Sequence, residues 1–297
     1  MDRLDAMSLF LAAADAGSFS AASRAENVPL ATLSRKIAEL ESHLGIKLFT
    51  RTSRHLAVTE AGRAYALAAR QILETLREAE RAAAGEYALP KGELVISASL
   101  VFGRHYVTPV VAEFLAAHPG ISVQLALSDS IVNLLEEPID CAIRIGELPD
   151  SRLRASRIGA ARRVVCASPA YLAARGTPLV PGDLATHDCI TYVGWMQPES
   201  WRFGGQQSVR VRSRLTLNSA EAALDAAAAG IGICSALSYQ TGPLVRAGIL
   251  TLLLESFEPP PAPISLVTNS GRFEPQKLRI FRDFALPRLR ARLALAT

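Results

Sequence analysis

The chain has 297 residues, 49% of them hydrophobic, and a net charge of +4. That length exceeds one average domain and suits two or three, with enough apolar content for sizeable cores. No apolar run approaches the ~20 residues of a membrane span, and Asp2 and Asp5 stand where a secretory signal would carry bases, so a cytoplasmic protein without a membrane partner is expected. Cys141, Cys166, Cys189 and Cys234 lack the spacing of a metal knuckle or redox pair. They read as buried reduced thiols or as a peroxide sensor. No metal or cofactor is expected.

The first predicted helix runs from Leu4 to Ala16, with Met7, Phe10, Leu11 and Ala14 on one apolar stripe. Gly17 stops it, and Ser18 or Ser20 can cap a short second helix over Ala21–Ala25. Asn27-Val28-Pro29 breaks that helix. A third follows over Leu30–Leu44, apolar at Leu33, Ile37, Leu40 and Leu44, polar or basic at Thr32, Arg35, Lys36 and Glu39. Residues 46–58 read as strands around the turn Thr50-Arg51-Thr52-Ser53-Arg54, a wing after a helix-turn-helix. Seven bases and seven acids balance within residues 1–60, yet five of those bases lie between Arg35 and Arg54 against only Glu39 and Glu41. Local placement, not bulk charge, therefore points to nucleic acid. An ordinary three-helix bundle with a solvated basic face has the same periodicity.

The runs Ser18-Phe19-Ser20-Ala21-Ala22, Leu33-Ser34-Arg35-Lys36-Ile37-Ala38-Glu39-Leu40-Glu41, Leu44-Gly45-Ile46-Lys47-Leu48-Phe49-Thr50-Arg51, and Thr59-Glu60-Ala61-Gly62 after Arg54 resemble the LysR-type transcriptional regulators. The resemblance implies that Ser34, Arg35 and Lys36 lie on a recognition helix and Arg51 and Arg54 on a wing. Thr32 and Arg35 are then expected at base edges, and Ser34, Lys36, Arg51 and Arg54 at phosphates. The family usually opens this helix with serine followed by glutamine or proline. Here Pro29, Leu30, Ala31 and Thr32 stand instead, so Leu30 and Ala31 are expected against a thymine methyl, with no glutamine to read adenine. Double-stranded promoter DNA is the implied partner, with RNA polymerase a candidate second one.

Thr59 can cap a long helix reaching Ala84 or Gly85. Tyr65, Ala69, Ile72, Leu76, Ala79 and Ala83 form a heptad seam on it. A partner helix is expected there, and the resemblance implies dimers or tetramers. The expected domains are therefore a winged helix-turn-helix over 1–58, a linker helix over 59–88 and an effector-binding domain over 91–297.

Beyond Gly92, strands at Leu94–Ile96, 121–127 and 141–145 alternate with a helix over Tyr106–Ala117. A second unit, from about Arg163 to Pro260, has strands near 164–166, 215–217 and 231–234, and the chain then returns through Ile264–Val267 to a final helix near Pro275. Parallel sheets flanked by helices are expected, as two α/β lobes, the first about 91–162 with 264–297 and the second about 163–263. The resemblance implies the bilobal, periplasmic-binding-protein-like effector fold. A ligand should sit between the lobes, near strand ends and helix starts. That selects Ser97, Ser99, Ser128, Asn218 and Ser219, with Arg144 inside an apolar strand and partnered by a ligand or by a fixed carboxylate such as Asp129. Each serine could equally be a helix cap. A small polar or anionic effector is expected, with Trp195, Trp201 or Phe203 as an apolar wall. A solute-binding module would lack the helix-turn-helix. An enzyme would need a phosphate loop, a nucleophile elbow or a catalytic histidine, and none is found; His187-Asp188 reads as an isolated loop pair.

Overall fold

The computed structural model describes residues 2–51, 56–83, 90–129, 139–148, 153–192, 200–269 and 274–295. They form two compact units, one made largely of the first 89 residues and the other of nearly all the rest.

The first unit comprises α1 (Arg3–Ala16), α2 (Phe19–Ala25), α3 (Leu30–Leu44), the antiparallel pair β1 (Phe49–Arg51) and β2 (Leu56–Val58), and α4 (Glu60–Ala83). Asp2 caps α1 by accepting the Leu4 N–H at 3.0 Å, and Ser18 caps α2 through the Ala21 N–H at 3.4 Å. Leu9 and Phe10 of α1 pack with Leu33, Ile37 and Leu40 of α3 in one buried cluster. Phe49 closes it, its ring 5.3 Å from both Phe10 and Phe19.

Thr59 does more than cap α4. Its Oγ1 accepts from the Gly62 N–H at 2.8 Å and donates to the Lys47 carbonyl at 2.7 Å, so the helix start is tied to the chain entering the wing. Gly62 is required there because a Cβ would lie 2.2 Å from the Leu48 carbonyl oxygen. The expected seam along α4 is divided. Tyr65 packs on Phe10 at 5.6 Å and Ala69 is fully buried, while Ile72 is 45% exposed, Leu76 half-buried and Ala79 exposed. The reason is that α1 lies along the first turns of α4, where Asp15 also pairs with Arg70.

The second unit runs β3 (Gly92–Ala98), α5 (Leu100–Phe102), a π-helical stretch (Gly103–Val107), α6 (Thr108–Ala117), β4 (Ile121–Leu127), β5 (Cys141–Ile145), β6 (Leu153–Ala161), β7 (Arg163–Ala167), α7 (Pro169–Arg175), β8 (Cys189–Tyr192), β9 (Ser200–Arg202), β10 (Ser208–Arg210), β11 (Ser213–Leu217), α8 (Ala220–Ala228), β12 (Ile233–Leu237), α9 (Ser238–Arg246), β13 (Thr251–Leu253), β14 (Ala262–Asn269) and α10 (Gln276–Ala294). One five-stranded sheet has the order β4-β3-β5-β14-β6, the other β11-β8-β12-β7-β13.

Both sheets are mixed, not parallel as expected. Strands β4, β3 and β5 run parallel, as do β11, β8 and β12, but β14 opposes β5 and β6, and β7 opposes β12 and β13. The cause is the crossing of the chain between lobes. A strand that leaves a lobe ends at the inner edge of its sheet, so a strand that enters must begin there and run the other way. Only Arg162 separates β6 from β7. Its N–H donates to Ser238 Oγ at 3.2 Å, its carbonyl accepts the Ser238 N–H at 2.8 Å, and its guanidinium reaches Glu258, on the return crossing, at 3.1 Å. Helical structure also begins at Leu100, six residues before the expected start at Tyr106. Gly103 opens the π-helical stretch and packs closely on β4, where a Cβ would sit 2.1 Å from Leu127 Cδ2.

The crowding at Gly62 is testable. Gly62→Ala must push α4 off the Leu48 carbonyl, and overpacking of this kind costs about 1–3 kcal/mol. Chemical denaturation should therefore show a lower midpoint for the unfolding of the N-terminal unit.

Candidate functional sites

Helix α3 turns Leu33, Ile37 and Leu40 into the core and leaves Leu30, Ala31 and Arg35 exposed, with Thr32, Ser34 and Lys36 half-buried. Five of the expected base and phosphate residues therefore share the outer side of α3 with Lys36 at its margin, and Lys36 is ion-paired with Asp5 of α1. Arg35 has a partner in Glu39 at 3.9 Å, both well exposed. Such a surface pair is worth little, so the guanidinium exchanges readily for another acceptor. Pro29 precedes the helix and offers no side-chain cap. Arg54 and the side chain of Arg51 lie outside the described residues.

The junction between α3 and the wing is held by Glu41, which the sequence reading counted only as an opposing charge. Its side chain is 10% exposed. Oε1 accepts the N–H groups of Leu48 at 2.9 Å and Phe49 at 3.2 Å, and Oε2 pairs with Lys47 at 2.7 Å. Burial by itself would raise the carboxyl, but Lys47 and the two backbone donors outweigh it and hold the Glu41 pKa below its ordinary value. One side chain thus fixes where β1 departs from α3.

A second cluster of candidate residues lies where the lobes of the larger unit meet. Asp129, just beyond β4, accepts the Leu100 N–H through Oδ1 at 3.0 Å. Phe102 and Tyr106 stack at 4.7 Å, and Tyr239 of α9 meets them edge-on at 5.4 and 5.8 Å. The Tyr239 hydroxyl lies beside Ser99 without a well-formed hydrogen bond, and both Tyr192 and Tyr239 are within electrostatic reach of Asp129. Burial raises both phenols, while the charge of Arg163 pulls Tyr192 the other way. Arg104 reaches Glu221, in the first turn of α8, at 3.1 Å, with His105 at 3.8 Å.

The expected effector residues divide. Ser99 belongs to this cluster, and Ser128 lies next to Asp129, its N–H bonded to the Ala98 carbonyl. Ser97 is buried within β3, in register with Ala126 and Ala142, and among the described residues its hydroxyl has no hydrogen-bond partner. Arg144 is half-buried in β5 opposite Ser265. Asn218 is exposed, and Ser219 caps α8 by accepting the Ala222 N–H at 3.3 Å. Phe203 and Trp201 pack in the core of the second lobe with Val165 and Leu184, and Trp195 lies outside the described residues. The rings near Ser99 are Phe102, Tyr106 and Tyr239, which belong to a buried core cluster. No sequence signal marked them, because α9 meets α5 only through the fold.

Two further groups proved to be structural. His187 and Asp188 precede β8 as a loop pair, but both are buried. Asp188 meets Arg214 at 2.9 Å, Arg175 at 3.2 Å and Arg212 at 3.6 Å. Burial opposes ionisation of this carboxyl, and the three guanidiniums, Arg214 foremost, reverse the balance and lower its pKa. All four cysteines are buried thiols, and burial pushes Cys166 and Cys189 up to about 12. Among the described residues no group of three or more His, Cys, Asp or Glu could hold a metal, and no helix is long and apolar enough to cross a membrane.

Residues 4–63 match the family described as bacterial regulatory helix-turn-helix protein, lysR family, and residues 88–290 match the LysR substrate binding domain. An HTH-type transcriptional repressor of Pseudomonas aeruginosa is 33% identical over 96% of this chain and 92% of its own length. The solved structure of CrgA, a LysR-type transcriptional regulator from Neisseria meningitidis, is 30% identical, covers 96% of this chain and 98% of CrgA, and superposes with a TM-score of 0.62. Full-length LysG from Corynebacterium glutamicum, solved with bound effector Arg, shares the fold at a TM-score of 0.71 over 97% of this chain and 98% of LysG, with 23% identity.

The Glu41 arrangement carries a pH signature. Because its folded pKa is lowered, its contribution to stability is complete above the unfolded carboxyl value of about 4.3 and is lost as pH falls through the lower folded value. Glu41→Gln removes the charge, so the stability difference between wild type and variant should be largest at neutral pH, on the order of 1–3 kcal/mol. It should shrink below about pH 4.3, as followed by denaturation at stepped pH. A constant difference across that range would assign the loss to packing.

Proposed function

The chain belongs to the LysR-type transcriptional regulators, which join a helix-turn-helix DNA-binding domain to an effector-binding domain and are not enzymes, and from that premise we propose how its parts divide the work. Residues 1–58 dock on double-stranded promoter DNA, 59–88 pair two subunits, and 91–297 receive a small polar effector between the lobes. The protein works in the cytoplasm, with RNA polymerase as its further partner at the promoter.

The observation that carries the DNA reading is the exposed side of α3. A helix in the major groove reads bases with short side chains near its start and a guanidinium one turn on. Leu30 and Ala31 meet thymine methyls, Thr32 and Arg35 reach base edges, and Ser34, Arg51 and Arg54 hold phosphates. Lys36 joins them only by exchanging Asp5 for a phosphate. The exposed Ile72 and Ala79 and the half-buried Leu76 on α4 support pairing with a second copy. Two such heads dock about one helical turn apart on an imperfect inverted repeat, and dimers join as tetramers. The effector reading is supported by Ser99 lying beside Tyr239 and by Asp129 lying within electrostatic reach of Tyr192 and Tyr239, both from the other lobe. A ligand there biases a pre-existing equilibrium between lobe arrangements, which resets the spacing of the heads.

Two results are expected. Arg35→Ala costs roughly 1–3 kcal/mol at the operator and far less on random DNA, whereas Arg54→Ala weakens both and reduces the salt slope by about one. Equal losses for Arg35→Ala on both DNAs would remove it from base reading. Charge at the exposed seam, Ile72→Glu with Leu76→Glu, should abolish the dimer in analytical ultracentrifugation and operator binding with it.

A further inference from the structure

We propose that the second lobe binds a phosphate group, as the free ion or as a monoester, on the guanidiniums of Arg175, Arg212 and Arg214. This site is separate from the interlobe cluster. Asp188, on which the three converge, precedes β8, and Tyr192 ends that strand.

The backbone around Asp188 is held without the arginines. Its N–H donates to the Tyr171 hydroxyl at 3.0 Å, and its carbonyl accepts the Ile233 N–H at 2.9 Å. Its carboxylate is 4% exposed, so it needs a cation, and one is enough to pair it. Arg214 meets that need at 2.9 Å. Yet Arg175, at the end of α7, and Arg212 stand 3.2 and 3.6 Å from the same carboxylate. Strand periodicity brings two of the three together. Arg212 and Arg214 flank Ser213, which pairs with Cys189, so both fall on one face of the edge strand β11 beside Asp188.

Three guanidiniums on one carboxylate leave two positive charges uncompensated and crowded together, and like charges at this spacing repel. Among the described residues no other side chain answers them: Asp188 is the one acid that each meets. The side chains of Arg175, Arg212 and Arg214 are 51, 71 and 61% exposed, so an anion from solvent can reach them. Guanidinium forks bind phosphate oxygens in pairs. Phosphate and its monoesters carry close to two charges at neutral pH, which matches the excess, whereas a carboxylate or the diester link of DNA carries one.

Titration calorimetry on the full-length protein at fixed ionic strength tests this with inorganic phosphate, glycerol 3-phosphate and acetate. Both phosphates should bind at least about tenfold more tightly than acetate. Tighter binding of glycerol 3-phosphate than of inorganic phosphate would support a phosphorylated organic ligand, and equal or weaker binding would support the free ion. Arg212→Gln leaves Arg175 and Arg214 on Asp188, so circular dichroism should be unchanged while phosphate affinity falls at least about fivefold. Arg214→Lys keeps a charge beside Asp188 but removes a fork, and should weaken phosphate binding as well; it carries the test if Arg212→Gln does not fold. Phosphate binding no tighter than acetate, or a phosphate preference that survives both variants, would overturn the proposal and leave the arginines as partners of Asp188 alone. Weaker binding of random duplex DNA by Arg212→Gln would also overturn it, by assigning the patch to the DNA backbone.

Discussion

The chain passes between its two sheets twice, and the larger unit is organised by that constraint. The outward crossing is a single residue, Arg162, and the return lies near Glu258, to which Arg162 is bonded at 3.1 Å. Because strands that leave a sheet and strands that enter it share one edge, that edge gathers the C-terminal ends of the parallel strands. Loops after β3, β4 and β8 and the start of α9 therefore converge on one space without any motif directing them there. Ser99, Asp129, Tyr192 and Tyr239 come from four separate stretches of chain, and topology alone makes them neighbours. The crossing is also tied, since Arg162 bonds Ser238 through both its N–H and its carbonyl. Motion between lobes must bend around this point.

The smaller unit shows a related economy. Helix α3 presents its exposed polar face outward, its apolar face to α1, and from its last turns the buried Glu41 that positions β1. Thr59 then ties α4 to the same stretch at Lys47. Recognition helix, wing and linker helix thus meet within a few residues of Leu48. A rigid junction of this kind lets several DNA contacts share one orientation, so ordering a contact on the wing costs little once the helix is seated.

What could be read beforehand follows the range of the interactions. The α1 and α3 stripes were legible because helical spacing is local and their apolar residues recur at it. Ser18, Thr59 and Ser219 were legible as caps for the same reason. Strand β6 was not, since apart from Leu153 and Ile158 it is polar, small or charged and pairs along its length with β14. The mixed strand directions were hidden too, because alternation of strand and helix says nothing about where a chain changes lobes. Ser99 was legible as a position just after a strand, but Tyr192 and Tyr239 carry no local mark. Glu41 and Asp188 were misjudged for one reason. Charge counting treats an acid as solvent-facing, and only the fold reveals the donors that let it be buried.

The π-helical stretch between α5 and α6 has an evolutionary reading. A π turn holds one residue more than the α-helix around it, and such turns are favoured near functional sites. Here it lies between Phe102 and the pair Val110 and Phe114, all of them buried in one core cluster. A π turn absorbs its extra residue locally, so losing one residue between Gly103 and Val107 would restore a regular helix while the parts on either side kept close to their present facing. A single-codon deletion or insertion at this point is therefore a change the chain can absorb while the packing on both sides of it stays in register.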